Sequence, residues 1–192
     1  MLDFLVQCGF IRISNHNFYN HQFSIRRGII ANNSLEIDCK SEHTGSKLLG
    51  RSEEFSKIVT DIAMDEENIV RGEINLDEMR PLVDSDIPSD AFCPKNVTIS
   101  GFYSYEDAGI STGMYLASQA VRYKVTEEAG AMDNAARAFD GVRFTYNLGK
   151  QESEGFYPKP YGQEFSHQIS RDQYLFVMSG MKEYYDIADE PT

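Results

Sequence analysis

Two different periodicities divide the chain. Through residues 1–80 apolar positions tend to alternate with polar ones, as they do in half-buried strands. From residue 101 onward they recur every three or four positions, as on amphipathic helices. Phe10, Arg12 and Ser14 bracket Ile11 and Ile13 in a first predicted strand, and Ser14, Asn15 and Asn17 supply caps for a helix through Asn32. Phe18, Ile25 and Ile29 share one face of that helix. Leu35, Ile37 and Cys39 mark the inward side of the next strand. Gly45 and Gly50 predict a loop, residues 56–63 a strand, and Val70, Gly72, Ile74 and Leu76 the apolar phase of another. Asp77 is then placed as the cap of a short helix.

In the second half the spacing predicts helices over residues 111–128 and 129–148. Tyr115, Ala120 and Tyr123 lie near one stripe of the first; Met132, Ala136, Phe139 and Tyr146 recur on the second. Gly149 is read as its C-terminal stop, and the short connection makes the pair an antiparallel hairpin. A third helix starts at Ser170, where Gln173 completes a capping-box pattern. Tyr174, Val177, Met178, Met181, Tyr184 and Tyr185 form its apolar face, and Pro191 ends it. Between the halves, Pro81, Pro88 and Pro94 stand among Asp84, Ser85, Asp86, Ser89 and Asp90. That composition interrupts both periods and reads as a linker. The expected division is therefore residues 1–83, a linker at 84–100, and 101–192, with an α+β class.

Composition narrows the chemistry. At 41% hydrophobic residues the chain has material for a core. Its 18 basic and 30 acidic residues give a formal charge of −12, which disfavours nucleic acid and anionic membrane as partners. Cys8, Cys39 and Cys93 form neither a disulfide framework nor a zinc pattern, so no metal and no cofactor is expected. Cys39 is read as a buried free thiol, and Cys8 as a core thiol. No basic leader precedes an apolar stretch, and no apolar run approaches the roughly 18–20 residues that span a bilayer. The sequons at Asn32 and Asn96 matter only in a secretory pathway. A cytoplasmic location is expected.

Two resemblances follow from ordered motifs. Arg26-Arg27-Gly28-Ile29-Ile30-Ala31-Asn32-Asn33, then Leu35–Cys39, Gly50-Arg51-Ser52 and Ile69–Arg80, resemble the region after the nucleophile in the carbon–nitrogen hydrolase (nitrilase/amidase) superfamily. Gly28 and Ala31 depart from that pattern. The resemblance implies part of an α/β/β sandwich and thiol acyl transfer by Cys, Glu and Lys. Those three groups lie upstream of the matched segment, so no catalytic residue carries over. Asp107-x-Gly109-x-x-Thr112-Gly113-x-Tyr115-Leu116-Ala117, Arg122-Tyr123-x-Val125-Thr126 and Asn134–Ala138 resemble the helical hairpins of six-hairpin (α/α) toroid proteins. Gly155-Phe156-Tyr157 and Ser170–Tyr174 extend the likeness. That architecture hosts glycoside hydrolases, polysaccharide lyases and sugar epimerases, and one fold carries many chemistries.

Neither half carries the full set of elements of its apparent relatives. The expectation is accordingly a fragment of a carbon–nitrogen hydrolase joined to a carbohydrate-active-like helical part, inactive alone. The alternatives are a carbohydrate-processing enzyme and a non-catalytic sugar-binding or assembly module. The candidate catalytic residues are Asp107, Asp172, His167 and Arg171, and the candidate substrate-binding residues are Tyr105, Tyr157, Tyr161 and Gln173. Carboxylates supply acid and base for glycosidic chemistry, and aromatic faces stack on sugar rings. Asp107 reads equally as a turn cap and Asp172 as a partner of its helix dipole. A small molecule or carbohydrate is the expected ligand, and association through uncovered strand edges or helix faces is expected too.

Overall fold

A computed structural model describes residues 42–161, 164–166, 168 and 170–188. Among them five α-helices hold more than half of the described residues, with two antiparallel pairs of two-residue strands. At this coarse level the architecture is α+β. The strands and helix expected in residues 10–39, Cys8, Cys39, His167 and Pro191 lie outside the described residues.

Helix α1 spans Glu42–Ile58 and runs on into a π-helical turn at Val59–Ala63. It replaces both the loop expected around Gly45 and Gly50 and the strand expected over residues 56–63. Ile58, Val59 and Thr60 are β-branched and favour strand locally. Ser56, Val59 and Ala63, however, fall at helical spacing and are all buried, so burial of one helical face overrides the propensity. The wide turn closes with Met64 N donating to Val59 O at 2.7 Å.

The strand expected over residues 70–76 contracts to β1, Ile74–Asn75, which pairs antiparallel with β2, Arg80–Pro81. Its backbone donors go elsewhere: Arg71 N to Ala63 O, Gly72 N to Ser104 O, and Val70 N to the Thr112 hydroxyl. Asp77 caps no helix. Residues 76–79 form the hairpin turn, which Asn75 Oδ1 anchors by accepting from Glu78 N at 3.0 Å, with Met79 at φ 50°.

The proline-rich segment is tied down at both ends. Asp86 receives Arg80 through both carboxylate oxygens, at 2.7 and 2.9 Å, and also Asn75 Nδ2 and Val83 N. Asp84 accepts from the amide and hydroxyl of Ser100 at 3.0 and 2.6 Å. Thr98 then caps α2 (Ile99–Tyr105) by accepting from Gly101 N. Tyr103 and Tyr105 therefore lie on a helix that precedes the helices the spacing predicts.

Helices α3 (Ala108–Thr126) and α4 (Ala129–Lys150) form the expected antiparallel hairpin, turned by Glu127 at φ 55°. The buried stripe of α4 is made of small residues, Ala131, Ala135, Ala138, Gly141, Val142 and Thr145. The larger Phe139 and Tyr146 pack partly buried beside the core. Helix α5 (Arg171–Tyr185) runs parallel to α3, because their contacts advance together: Gly109 meets Gln173, Gly113 meets Phe176, and Lys124 pairs with Glu183 and Asp186.

The α3–α5 crossing is set by glycine. A Cβ on Gly113 would lie 2.5 Å from Phe176 O, and one on Gly180 2.4 Å from Gly113 O. Gly149 follows the same logic: α4 continues past it to Lys150, and a Cβ there would lie 2.0 Å from Phe156 O. It permits close approach and does not stop the helix. Ser170 occupies the N-cap position of α5 but makes no capping bond; its hydroxyl donates to Asp172. The expected capping box therefore does not form.

One core crosses the molecule. Val59, Met64 and Val70 from the first part pack with Leu116, Val142, Tyr157 and Val177 from the second. Only part of the apolar face expected on α5 enters it: Val177 is buried and Tyr174 and Tyr184 pack against it, while Met178, Met181 and Tyr185 are exposed. No described helix is long and apolar enough to cross a membrane.

Candidate functional site

The start of α3, the segment leading into β3 (Pro160–Tyr161) and the start of α5 meet at one rim of the helical array. At its centre stands Glu106. Its carboxylate accepts from Lys159 Nζ and from the Tyr161 hydroxyl, and its main-chain oxygen accepts from Gln173 Nε2 at 2.6 Å. Lys159 stands between Pro158 and Pro160, and its side chain is largely buried against Glu106. Burial first, and then the bond to Glu106, pushes the Tyr161 phenol well above its ordinary range. Tyr161 therefore stays a neutral donor.

Asp172 sits exposed on the first turn of α5. The Ser170 hydroxyl, assisted by the Gln173 amide and the charge of Lys159, holds its carboxyl below the usual range. It is ionised across neutral pH. Asp107 occupies the N-cap position of α3 without making a cap bond. Its Cβ packs over Gly72, and its charge contributes to the upward shift at Tyr161.

Beside the rim lies a cleft of about 430 Å³ between α2, the segment entering it, and the β1–β2 hairpin. Tyr161 and Tyr105 line it together with Thr98, Ser100, Ser104 and Asn96; Pro81, Leu82 and Val97 supply apolar wall, and Arg71 supplies charge. The Tyr105 hydroxyl donates to Asp65 Oδ2 at 2.9 Å, and burial raises its pKa to about 12. The Arg71 guanidinium lies 5.8 Å from the Tyr105 ring centroid. Phe102 backs the wall, its ring 5.8 Å from that of Tyr161. Arg71 also lines a second cleft of about 360 Å³, with Asp61, Asp65, Glu66 and Arg80.

Of the expected site residues, Asp107, Tyr161, Asp172 and Gln173 thus gather around Glu106 and Lys159, and Tyr105 joins Tyr161 at the cleft. Tyr157 does not belong to this surface. It is a core residue, and burial drives its phenol pKa far upward. Gln173 is fully buried and positions the Glu106 backbone. Arg171 is exposed at the start of α5. Arg71, Glu106 and Lys159 were missed by sequence reasoning. A signal existed for two of them: Glu106 adjoins Asp107 in the Tyr-Glu-Asp-Ala-Gly motif, and Lys159 is framed by Pro158 and Pro160. Among the described residues, no group of three or more His, Cys, Asp and Glu could hold a metal ion.

Comparison with known proteins finds no matching family model, no matching curated protein and no matching solved structure.

Proposed function

We propose that the protein is a carbohydrate-binding module whose helical part follows the plan of an (α/α) toroid. In such a toroid successive hairpins stack so that alternate helices run parallel, and α3, α4 and α5 stand in that relation. The observation that carries the binding reading is the make-up of the 430 Å³ cleft. Sugar rings have apolar faces and hydroxyl-bearing edges. A site that interleaves tyrosine rings with Pro81, Leu82 and Val97, and adds small hydroxyls and Asn96, meets both kinds of surface.

Binding is favoured over glycosidic catalysis by the state of the carboxylates. Glycoside hydrolysis needs one acid kept protonated near neutral pH. Asp172 is driven the other way, and Glu106 is committed to Lys159 and Tyr161.

Isothermal titration with neutral mono- and oligosaccharides tests the reading. We expect saturable heat that weakens by roughly tenfold in Tyr161→Ala, with an unchanged circular dichroism spectrum. No heat, or binding indifferent to Tyr161→Ala, overturns it.

A further inference from the structure

We propose that the ligand of the 430 Å³ cleft carries a single carboxylate, taken by Arg71; this rests on the carbohydrate-binding reading above. Among the described residues lining that cleft, Arg71 is the one with a charged side chain. Its Nη1 donates to Ile62 O and Ala63 O, both at 3.2 Å, and the Tyr105 hydroxyl is a further hydrogen-bond partner of the guanidinium, so its described hydrogen-bond partners are all uncharged. No described carboxylate forms an ion pair with it. Those bonds fix the plane of the group and use only part of its five N–H donors.

A guanidinium edge presents two parallel donors at the spacing of carboxylate oxygens, a match that an ammonium lacks. Tyr105 fixes the guanidinium from one face, at 5.8 Å, and is itself held by Asp65. The fork is therefore set before a ligand arrives, which removes part of the ordering cost of binding. Charge selects the anion. A net charge of −12 opposes the entry of anions in general, and one cation offsets one negative charge better than two. A monoanionic carboxylate fits where a phosphate dianion does not.

Titration of the whole chain with glucuronate, glucose and glucose 6-phosphate tests this. These probes share a ring and differ in the group at one carbon. Glucuronate is expected to bind roughly tenfold tighter than glucose, with a preference that shrinks as salt rises. Arg71→Gln is expected to abolish the preference of glucuronate over glucose, and Arg71→Lys to lose most of it. Equal affinity for glucuronate and glucose in the unaltered chain overturns the carboxylate and leaves the carbohydrate reading standing. Tighter binding of glucose 6-phosphate overturns the carboxylate as well. Binding of none of the three overturns both. The comparison in the unaltered chain decides the matter even if Arg71→Gln does not fold.

Discussion

The α3–α5 crossing and the cleft beside Tyr161 are built by opposite means. At the crossing, Gly113 and Gly180 bring two backbones together and Leu116 is fully buried, while the ion pairs of Lys124 with Glu183 and Asp186 join the two helices further along. Around the cleft, short elements are joined by polar side chains: Asp84 to Ser100, Asp86 to Arg80 and Asn75, and Tyr105 to Asp65. The crossing derives its stability from close packing and leaves nothing over for recognition. The cleft derives its shape from directional bonds that leave Arg71 and several hydroxyls able to accept a partner. Substitutions should accordingly act on stability in the first region and on shape, pH dependence and binding in the second.

The largest expected effect is at the crossing. Leu116→Ala should lower unfolding free energy by about 3 kcal/mol in urea titrations, since the lost methyls leave a cavity in a dense interior. Gly113→Ala should cost about 2 kcal/mol by the same measurement, because its Cβ meets a backbone oxygen that cannot turn aside. A loss below half of these values would show that the crossing relaxes more readily than its geometry implies.

Smaller effects belong to the polar side. Asp86→Ala removes the acceptor for Arg80, Asn75 and the Val83 amide, and about 1–2 kcal/mol of destabilisation is expected. The unaltered protein carries a matching acid dependence. The Arg80 guanidinium, then the Val83 amide, hold the Asp86 carboxyl far below its ordinary 3.8. Stability from this group is therefore present above pH 3.8 and is lost as the pH falls toward the depressed value. Asp86→Asn should flatten that part of a melting-temperature profile.

The alkaline side has the reverse sign. Burial raises Tyr105 and Tyr115 from 10.0 to about 12, so their contribution is complete below pH 10.0 and is lost as the pH climbs toward 12. Tyrosinate absorbance should rise together with unfolding, and an ordinary titration of all tyrosines in the folded state would contradict the burial. The smallest effect is expected on the outer side of α5, where Met178→Lys should change stability by less than about 0.5 kcal/mol.

The same contrast explains how much was legible in the chain. The α3–α4 hairpin and α5 were readable because long amphipathic stretches repeat one signal many times. Their packing faces were less so. The tightest contacts use glycine and alanine, and a search for large apolar residues favours Phe139, Met178 and Tyr185, which lie at the margin or outside. The end of α1 was misread because Ile58, Val59 and Thr60 have strand propensity, and only burial against α3 decides for helix. The strand over residues 70–76 was misread for the converse reason: its alternation is real, but the backbone partners that it finds are Ala63, Ser104 and Thr112.

At the site, sequence reasoning found the right neighbourhood and several wrong members. The motif around Asp107 and the aromatic segment through Tyr161 do converge. Tyr157 is withdrawn into the core, and Gln173 is turned to backbone support. Arg71 could not be picked out, since it is a single cation whose meaning comes from Tyr105 and the cleft lining, far away in the chain.

The account's central claim is that the cleft lined by Tyr105, Tyr161 and Arg71 is where ligand binds. Amide chemical-shift mapping during titration with glucuronate tests it most directly. The perturbed amides should cluster at residues 71–72, 82, 96–105 and 161. Perturbations centred on the exposed face of α5, or spread evenly over the helices, would contradict it.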